Sequence, residues 1–163
     1  MRVSYEWLKT MVDVPDDPHE LVDEFVRTGT EVEAVERLGA DIRDVVTSQV
    51  LEKAPHPDSD HLFVCKMDVG ACNVDADGKP VPLQVVCGAQ NFEQGDKTVT
   101  ALVGARLPGG IEIKRGKLRG IESLGMNCSS RELGLDDDHS GIMILPPDAP
   151  VGVDFTEYRG MSD

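Results

Sequence analysis

The chain has 163 residues, with 16 Lys and Arg against 30 Asp and Glu, a formal charge of −14 that excludes a uniformly basic nucleic-acid coat. Hydrophobic residues at 40% and charged residues at 28% give a globular balance, and aromatics at 4% leave the core to Val, Ile, Leu and Ala. No window approaches the roughly 18 to 20 apolar residues of a membrane span, and the start MRVSYEWLKT lacks a secretion signal, so the expected location is cytoplasmic with no membrane partner.

The first predicted element is a short helix capped by Ser4, with Trp7, Leu8, Met11 and Val12 on one stripe, stopped by Pro15. Asp17-Pro18-His19-Glu20 starts a second helix: an acidic cap, Pro at the first helical position and Glu three residues after the cap. Leu21, Val22, Phe25 and Val26 repeat the stripe, and Gly29 suits the C-terminal cap. In EVEAVERL, residues 31–38, Val32 and Ala34 alternate with Glu, which predicts a strand.

At Gly39-Ala40-Asp41 the pattern changes to period two. Strands are predicted over Asp44–Lys53, Leu62–Val69, Val81–Cys87, Thr98–Val103, Ile111–Leu118 and Gly141–Leu145, separated by clusters of Pro, Asp and Gly. Short strands at this spacing, with no helices between them, indicate an antiparallel barrel or sandwich, and five or six strands is the size of an oligonucleotide/oligosaccharide-binding (OB) barrel. Asp136–His139 is an acidic loop, and the run Pro146–Pro150 closes the β region. The four cysteines, at 65, 72, 87 and 128, form no CxxC pair and read as free thiols.

The charge is unevenly placed. Lys97–Arg119 holds six basic residues and one acid, net +5, which leaves −19 for the remainder. Such a patch suits a phosphate track, and it equally suits a hairpin whose Lys/Arg edge blocks edge-to-edge pairing.

Three words stand in order: His56-Pro57-Asp58-Ser59-Asp60-His61-Leu62, then Val85-Val86-Cys87-Gly88-Ala89-Gln90-Asn91, then Lys117-Leu118-Arg119-Gly120-Ile121-Glu122-Ser123-Leu124-Gly125-Met126. They closely resemble the tRNA-binding domain shared by EMAP-II-like proteins, the C-terminal extension of some methionyl-tRNA synthetases and the beta subunit of bacterial phenylalanyl-tRNA synthetase. The segments MRVSYEWLKTMVDVP, TGTEVEAVE, LVGARLPGGIEIKRGKLRG, CSSRELGL and DDDHSGIMILP narrow the resemblance to the N-terminal region of that beta subunit. The resemblance implies a mainly β fold: an OB barrel, residues 39–150, inserted in a small and incomplete α/β N-terminal domain made of residues 1–38 plus 151–163. It implies a noncatalytic tRNA-binding module. The parent α2β2 ligase would use ATP and Mg²⁺ elsewhere, with tRNA-Phe, the alpha subunit and the rest of the beta subunit as partners. Two positions depart from the family, His61 where a basic residue is usual and Ser59 where Ala is, and Ala71–Pro80 reads as a surface insertion.

On an OB barrel the expected RNA-binding set is Lys66, Asn91, Arg106, Lys114, Arg115, Lys117 and Arg119, with Ser123 and Met126 lining the groove. Lys and Arg would meet phosphates, and the Asn amide would read a base edge. Each also has a structural reading: Asn91 as a turn former, Met126 and Cys87 as core, Glu122 as a partner of Arg119. Only Phe63 and Phe92 lie near the expected face for stacking. His56, Asp58, Asp60 and His61 contain metal-ligand types, but Pro55 and Pro57 hold the segment extended, and no metal is expected. No nucleophile has an adjacent base and no Gly-rich phosphate loop is present, so no catalytic residue is expected. The alternatives are a structural or interaction module of the same assembly with little RNA affinity, or a free-standing tRNA-binding protein.

Overall fold

The structure is a computed structural model that describes residues 1, 3–37 and 39–161. The chain divides into two compact units, Met1–Arg37 and Leu38–Asp163.

In the first unit, α1 spans Tyr5–Met11 and α2 spans Pro18–Arg27. Both begin as the sequence predicts: Ser4 accepts from the Trp7 N–H and Asp17 from the His19 N–H, with Pro18 in the first turn. Helix α2 ends in a complete Schellman motif, because Gly29 (φ +84°) lets its own N–H reach the Val26 carbonyl and the Thr30 N–H reach that of Phe25. The apolar stripe of α2 is only half covered, at Leu21, Val22 and Phe25, while Trp7, Met11 and Val26 are exposed. The strand predicted over residues 31–38 does not form: 31–37 have no regular structure and Leu38 lies outside the described residues. A strand needs a hydrogen-bonding partner, and no other strand lies among the described residues of this unit.

The second unit is mainly β. The strands are β1 (Arg43–Pro55), β2 (Phe63–Asp68), β3 (Leu83–Cys87), β4 (Lys97–Leu107), β5 (Ile111–Glu112), β6 (Gly116–Leu118), β7 (Ile121–Ser123), β8 (Gly125–Asn127) and β9 (Ile144–Leu145), followed by α3 (Phe155–Tyr158). The first four match the prediction to within a few residues. Strand β1 lies between β2 and β4, β2 carries β3, and β4 carries β8, all antiparallel. The sheet is nearly closed where the chain just before β8 meets β3: the Leu124 N–H donates to the Gln84 carbonyl and the Val86 N–H to Ser123 Oγ. The circuit β1-β2-β3-β8-β4-β1 is a five-stranded antiparallel OB-like barrel. A one-residue bulge at Leu51 and a register shift at Asp44 (φ +57°) bend the long β1 so that it serves both sides.

Both faces of β1 and β4 are buried in their middle stretches, residues 45–48 and 98–101. Val46, Val50, Cys65, Met67, Val85 and Phe92 form one apolar cluster. Val45, Val99 and Ala101 pack with Leu133, Leu145 and Phe155 from the chain that follows the barrel in a second. Between them runs a polar chain: Ser48 Oγ to Thr100 Oγ1 at 2.7 Å, then Thr100 Oγ1 to Asn127 Oδ1 at 2.8 Å. Among the described residues no buried side-chain nitrogen or oxygen lacks a partner.

The described part of the segment that follows Pro150, assigned by the resemblance to the N-terminal domain, packs on this barrel. Thr47 and Val153 exchange backbone and side-chain hydrogen bonds, and Phe155 is fully buried. Gly39 lies against Met161, where a Cβ would stand 3.1 Å from the Met161 Cβ. The first and last described residues of this unit are therefore neighbours.

The cysteines are free, with Cys72 exposed and Cys65, Cys87 and Cys128 buried. Burial pushes the Cys65 and Cys128 thiols from 9.0 up to about 12. At pH 8 a thiol reagent should label Cys72 alone in the native chain and all four thiols in denaturant; fast native labelling of a second thiol would contradict this packing. Because the folded thiols are raised above the unfolded value, their stabilisation is complete below pH 9 and is lost as pH rises towards 12.

Candidate nucleic-acid interface

The basic segment does not form the single strand predicted over Ile111–Leu118. Ile113 turns inward and is buried, exchanging hydrogen bonds with Gly104 and Ala105, and this splits the segment into β5 and β6. Strands β6 and β7 then make a two-stranded hairpin, with Leu118 opposite Ile121 across Arg119-Gly120. Both turn residues have positive φ, +49° and +85°, as primed hairpin turns require. The hairpin tip meets the β1–β2 loop: a ring nitrogen of His56 lies 2.9 Å from the Leu118 carbonyl, and the Arg119 guanidinium donates to the Asp58 carbonyl at 2.8 Å. The two loops that flank the ligand face of an OB barrel are thus joined.

The structure sorts the predicted residues by what their polar groups already do. Arg106, Lys114 and Lys117 are exposed, and none of their side chains has a hydrogen-bond or ion-pair partner among the described residues. Arg115 is bound to Glu122 at 2.6 Å, and Arg119 to Asp58 as above. Glu122 therefore pairs with Arg115 rather than with Arg119. Lys66 donates to Gln84 on β3 at 2.9 Å, and Gln84 donates in turn to the Glu122 carbonyl, which ties the sheet to the hairpin.

Asn91 spends both ends of its amide on Ile142, donating to its carbonyl at 2.9 Å and accepting its N–H at 3.0 Å. Gly141 must be glycine there, since a Cβ would stand 2.2 Å from the Asn91 amide. Ser123 is buried, accepting from the Val86 N–H and donating to the Gly125 carbonyl. Met126 is half-buried and does line a groove.

That groove runs in two parts. A hollow of about 290 Å³ beside the hairpin is lined by Lys114, Lys117, Leu118 and Met126. A cleft of about 690 Å³ shares Val86 and Met126 with it and continues past Gly88, Arg131, Glu132 and His139. Its far end adjoins the acidic loop, where the Ser140 N–H and hydroxyl hold the Asp138 carboxyl below the usual carboxylate range. The smaller hollow thus sets Lys114 and Lys117 beside Glu112, and the larger cleft sets Arg131 beside Glu132 with the acidic loop next to it. Exposed Ile111 and Leu118 supply aliphatic surface where most single-strand binders place aromatic rings. Phe63 and Phe92 are not free for stacking, because both enclose the Lys53 ammonium, at 4.3 and 4.4 Å from the ring centres.

Of the metal-ligand types in the β1–β2 loop, His56 is 3% exposed and has both ring nitrogens engaged, one on the Leu118 carbonyl and one on the Asp58 N–H. Among the described residues no group of three or more His, Cys, Asp or Glu is placed to hold a metal ion, and no helix is long and apolar enough to cross a membrane.

Comparison with known proteins gives three further findings. The putative tRNA binding domain family matches residues 45–154. The phenylalanine–tRNA ligase beta subunits of Nitrosospira multiformis and Methylococcus capsulatus are 46% and 45% identical over the whole of this chain, which spans 20% of the length of each. A MetRS-related protein of known structure from Pyrococcus horikoshii aligns with 86% of this chain and 96% of its own, at 17% identity and a TM-score of 0.47. Since the family match takes in nearly all of the barrel and about two-thirds of the residues, the chain belongs to the putative tRNA-binding domain family.

Proposed function

We propose that this chain is the noncatalytic tRNA-binding module of a phenylalanine–tRNA ligase beta subunit. The observation that carries the reading is that Arg106, Lys114 and Lys117, from one short segment of an otherwise acidic chain, are exposed with no side-chain partner among the described residues, and that Lys114 and Lys117 line the same hollow. The full-length identity to the named beta subunits supports the parent enzyme. That parent would be a cytoplasmic α2β2 assembly making phenylalanyl-tRNA, with tRNA-Phe, the alpha subunit and the rest of the beta subunit as partners. ATP and Mg²⁺ would serve its synthetic centre, and no step of that chemistry is assigned to a residue of this chain.

On this reading the barrel, residues 39–150, is inserted in an N-terminal domain built from residues 1–38 and the chain from 151 onward. The resemblance carries this division, while the described residues 151–161 pack on the barrel, with Phe155 in its core.

A second reading, a structural module with little RNA affinity, is favoured by one fact: Arg115, Arg119, Asn91 and Ser123 already have internal partners. Binding of tRNA across a salt series decides between them. The wild-type chain should bind more weakly as salt rises. Replacing Arg106, Lys114 and Lys117 together by Ala should weaken binding and lower the slope of log K against log salt by about 2, at roughly 0.7 for each phosphate no longer neutralised. A flat wild-type response, or an unaffected triple variant, selects the structural reading.

A further inference from the structure

Arg119 and His56 do something different from the lysines beside them. An L-residue other than Asn, Asp or Gly is disfavoured in left-handed backbone, yet Arg119 sits there at φ +49°. That conformation turns its guanidinium back to the β1–β2 loop, where it donates to the Asp58 carbonyl at 2.8 Å. His56 makes the complementary tie. Its Nδ1 accepts the Asp58 N–H at 3.0 Å, so the ring proton resides on Nε2 and is donated to the Leu118 carbonyl at 2.9 Å. Two successive residues of the hairpin, Leu118 and Arg119, are thereby bonded to two residues of one loop.

That loop is a firm anchor. Its base is closed by the His56 N–H on the Leu62 carbonyl at 2.9 Å, Pro55 and Pro57 restrict its backbone, and Ser59 Oγ accepts the His61 N–H. The hairpin, by contrast, has three residues in each strand, all three of β6 are exposed, and such a ribbon is marginal alone. Lys117 is borne on β6 and Lys114 lies just before it.

We infer that His56 and Arg119 are positioning residues, a clasp that presents Lys114 and Lys117 to RNA preformed, and that Arg119 itself meets no phosphate. The inference rests on the tRNA-binding reading above and deepens it: the basic segment divides into cations that contact phosphate and cations that hold the hairpin. Loss of the clasp leaves every phosphate-binding cation available but makes binding order the hairpin, so affinity falls without a change in the number of counterions released.

The test compares Lys117→Ala, Arg119→Ala and His56→Phe in this chain, measuring tRNA affinity over a salt series and amide hydrogen exchange of residues 116–123 without RNA. Lys117→Ala should lower the salt slope by about 0.7 and leave exchange unchanged. Arg119→Ala and His56→Phe should weaken binding by about tenfold, keep the wild-type slope and speed exchange across the hairpin. Arg119 is exposed, so its variant keeps the core even if the buried His56 site tolerates substitution poorly. A slope lowered in Arg119→Ala, with exchange unchanged, would make Arg119 a phosphate ligand and overturn the inference. Wild-type affinity in both clasp variants would overturn it too. A flat salt response of the wild type removes the tRNA reading instead, and unchanged exchange in both variants then removes the clasp as well.

Discussion

Phe155→Ala should destabilise the chain by about 3 to 5 kcal/mol, the usual cost of deleting a buried ring. Phe155 is fully buried in the cluster of Val45, Val99, Ala101 and Leu133, yet it comes from α3, a helix of four residues with no other buried side chain. A helix that short has no stability of its own, so the ring is what holds residues 151–161 on the outer face of β1. The cavity would open on the side of the barrel away from the Lys53 cluster, and the Val46–Asp154 bridge and the Thr47–Val153 bonds would lose their support. Thermal unfolding should fall by roughly 10 °C. Ending the chain after Pro150 should cost at least as much. A Tm within about 2 °C of wild type for either variant would show that the barrel is complete at Pro150 and that the tail merely rests on it.

Phe92→Ala should cost a similar amount, about 3 to 5 kcal/mol, for a different reason. Phe92 is 1% exposed and meets Phe63 edge-on at 6.2 Å, and the two rings enclose the Lys53 ammonium, which also donates to the Phe92 carbonyl at 2.5 Å. Lys53 is tolerated there because the rings, the carbonyl and Glu93 at 3.7 Å together replace its water. Removing one ring leaves a cavity beside a charge. It also loosens the neighbouring Asn91, whose amide holds Ile142 and hence one wall of the larger cleft. Chemical denaturation should place Phe92→Leu well above Phe92→Ala, since leucine restores apolar volume though not the π face. Equal stability of Phe92→Ala and wild type would mean that Lys53 is held by Glu93 and the backbone alone.

The strands that read clearly in the sequence are those whose side chains alternate over five or more residues, β1 to β4, and the helices with explicit caps at Ser4, Asp17 and Gly29. Strands β7 and β8 did not, because three-residue strands carry no periodicity; β7 is a strand because β6 pairs with it and β8 because β4 does. Gly125 itself must be glycine, with a Cβ 2.7 Å from the Ala101 carbonyl. Residues 31–37 show the opposite case, a good alternation with no other strand among the described residues of their unit. The +5 segment was legible as charge, and its division into free and engaged cations was not. Nothing in KRGKLRG distinguishes Arg115 and Arg119 from Lys114 and Lys117 until Glu122 and Asp58 are placed beside them.

The charge of −14 and the order of the three motif words by themselves determined the class of molecule: a mainly β domain of a tRNA-binding family with a net-positive segment, Lys97–Arg119, in an otherwise acidic chain. These are properties of residue type and local spacing, which the chain carries whether folded or not. The tertiary structure alone decided which cations remain open to a ligand, that the Asn91 amide and the Ser123 hydroxyl serve the backbone, and that the tail beyond Pro150 seals the barrel. Most of those outcomes depend on partners far away in sequence or on the closure of the sheet, and a hydrogen bond or a buried contact exists only when both of its halves are in place.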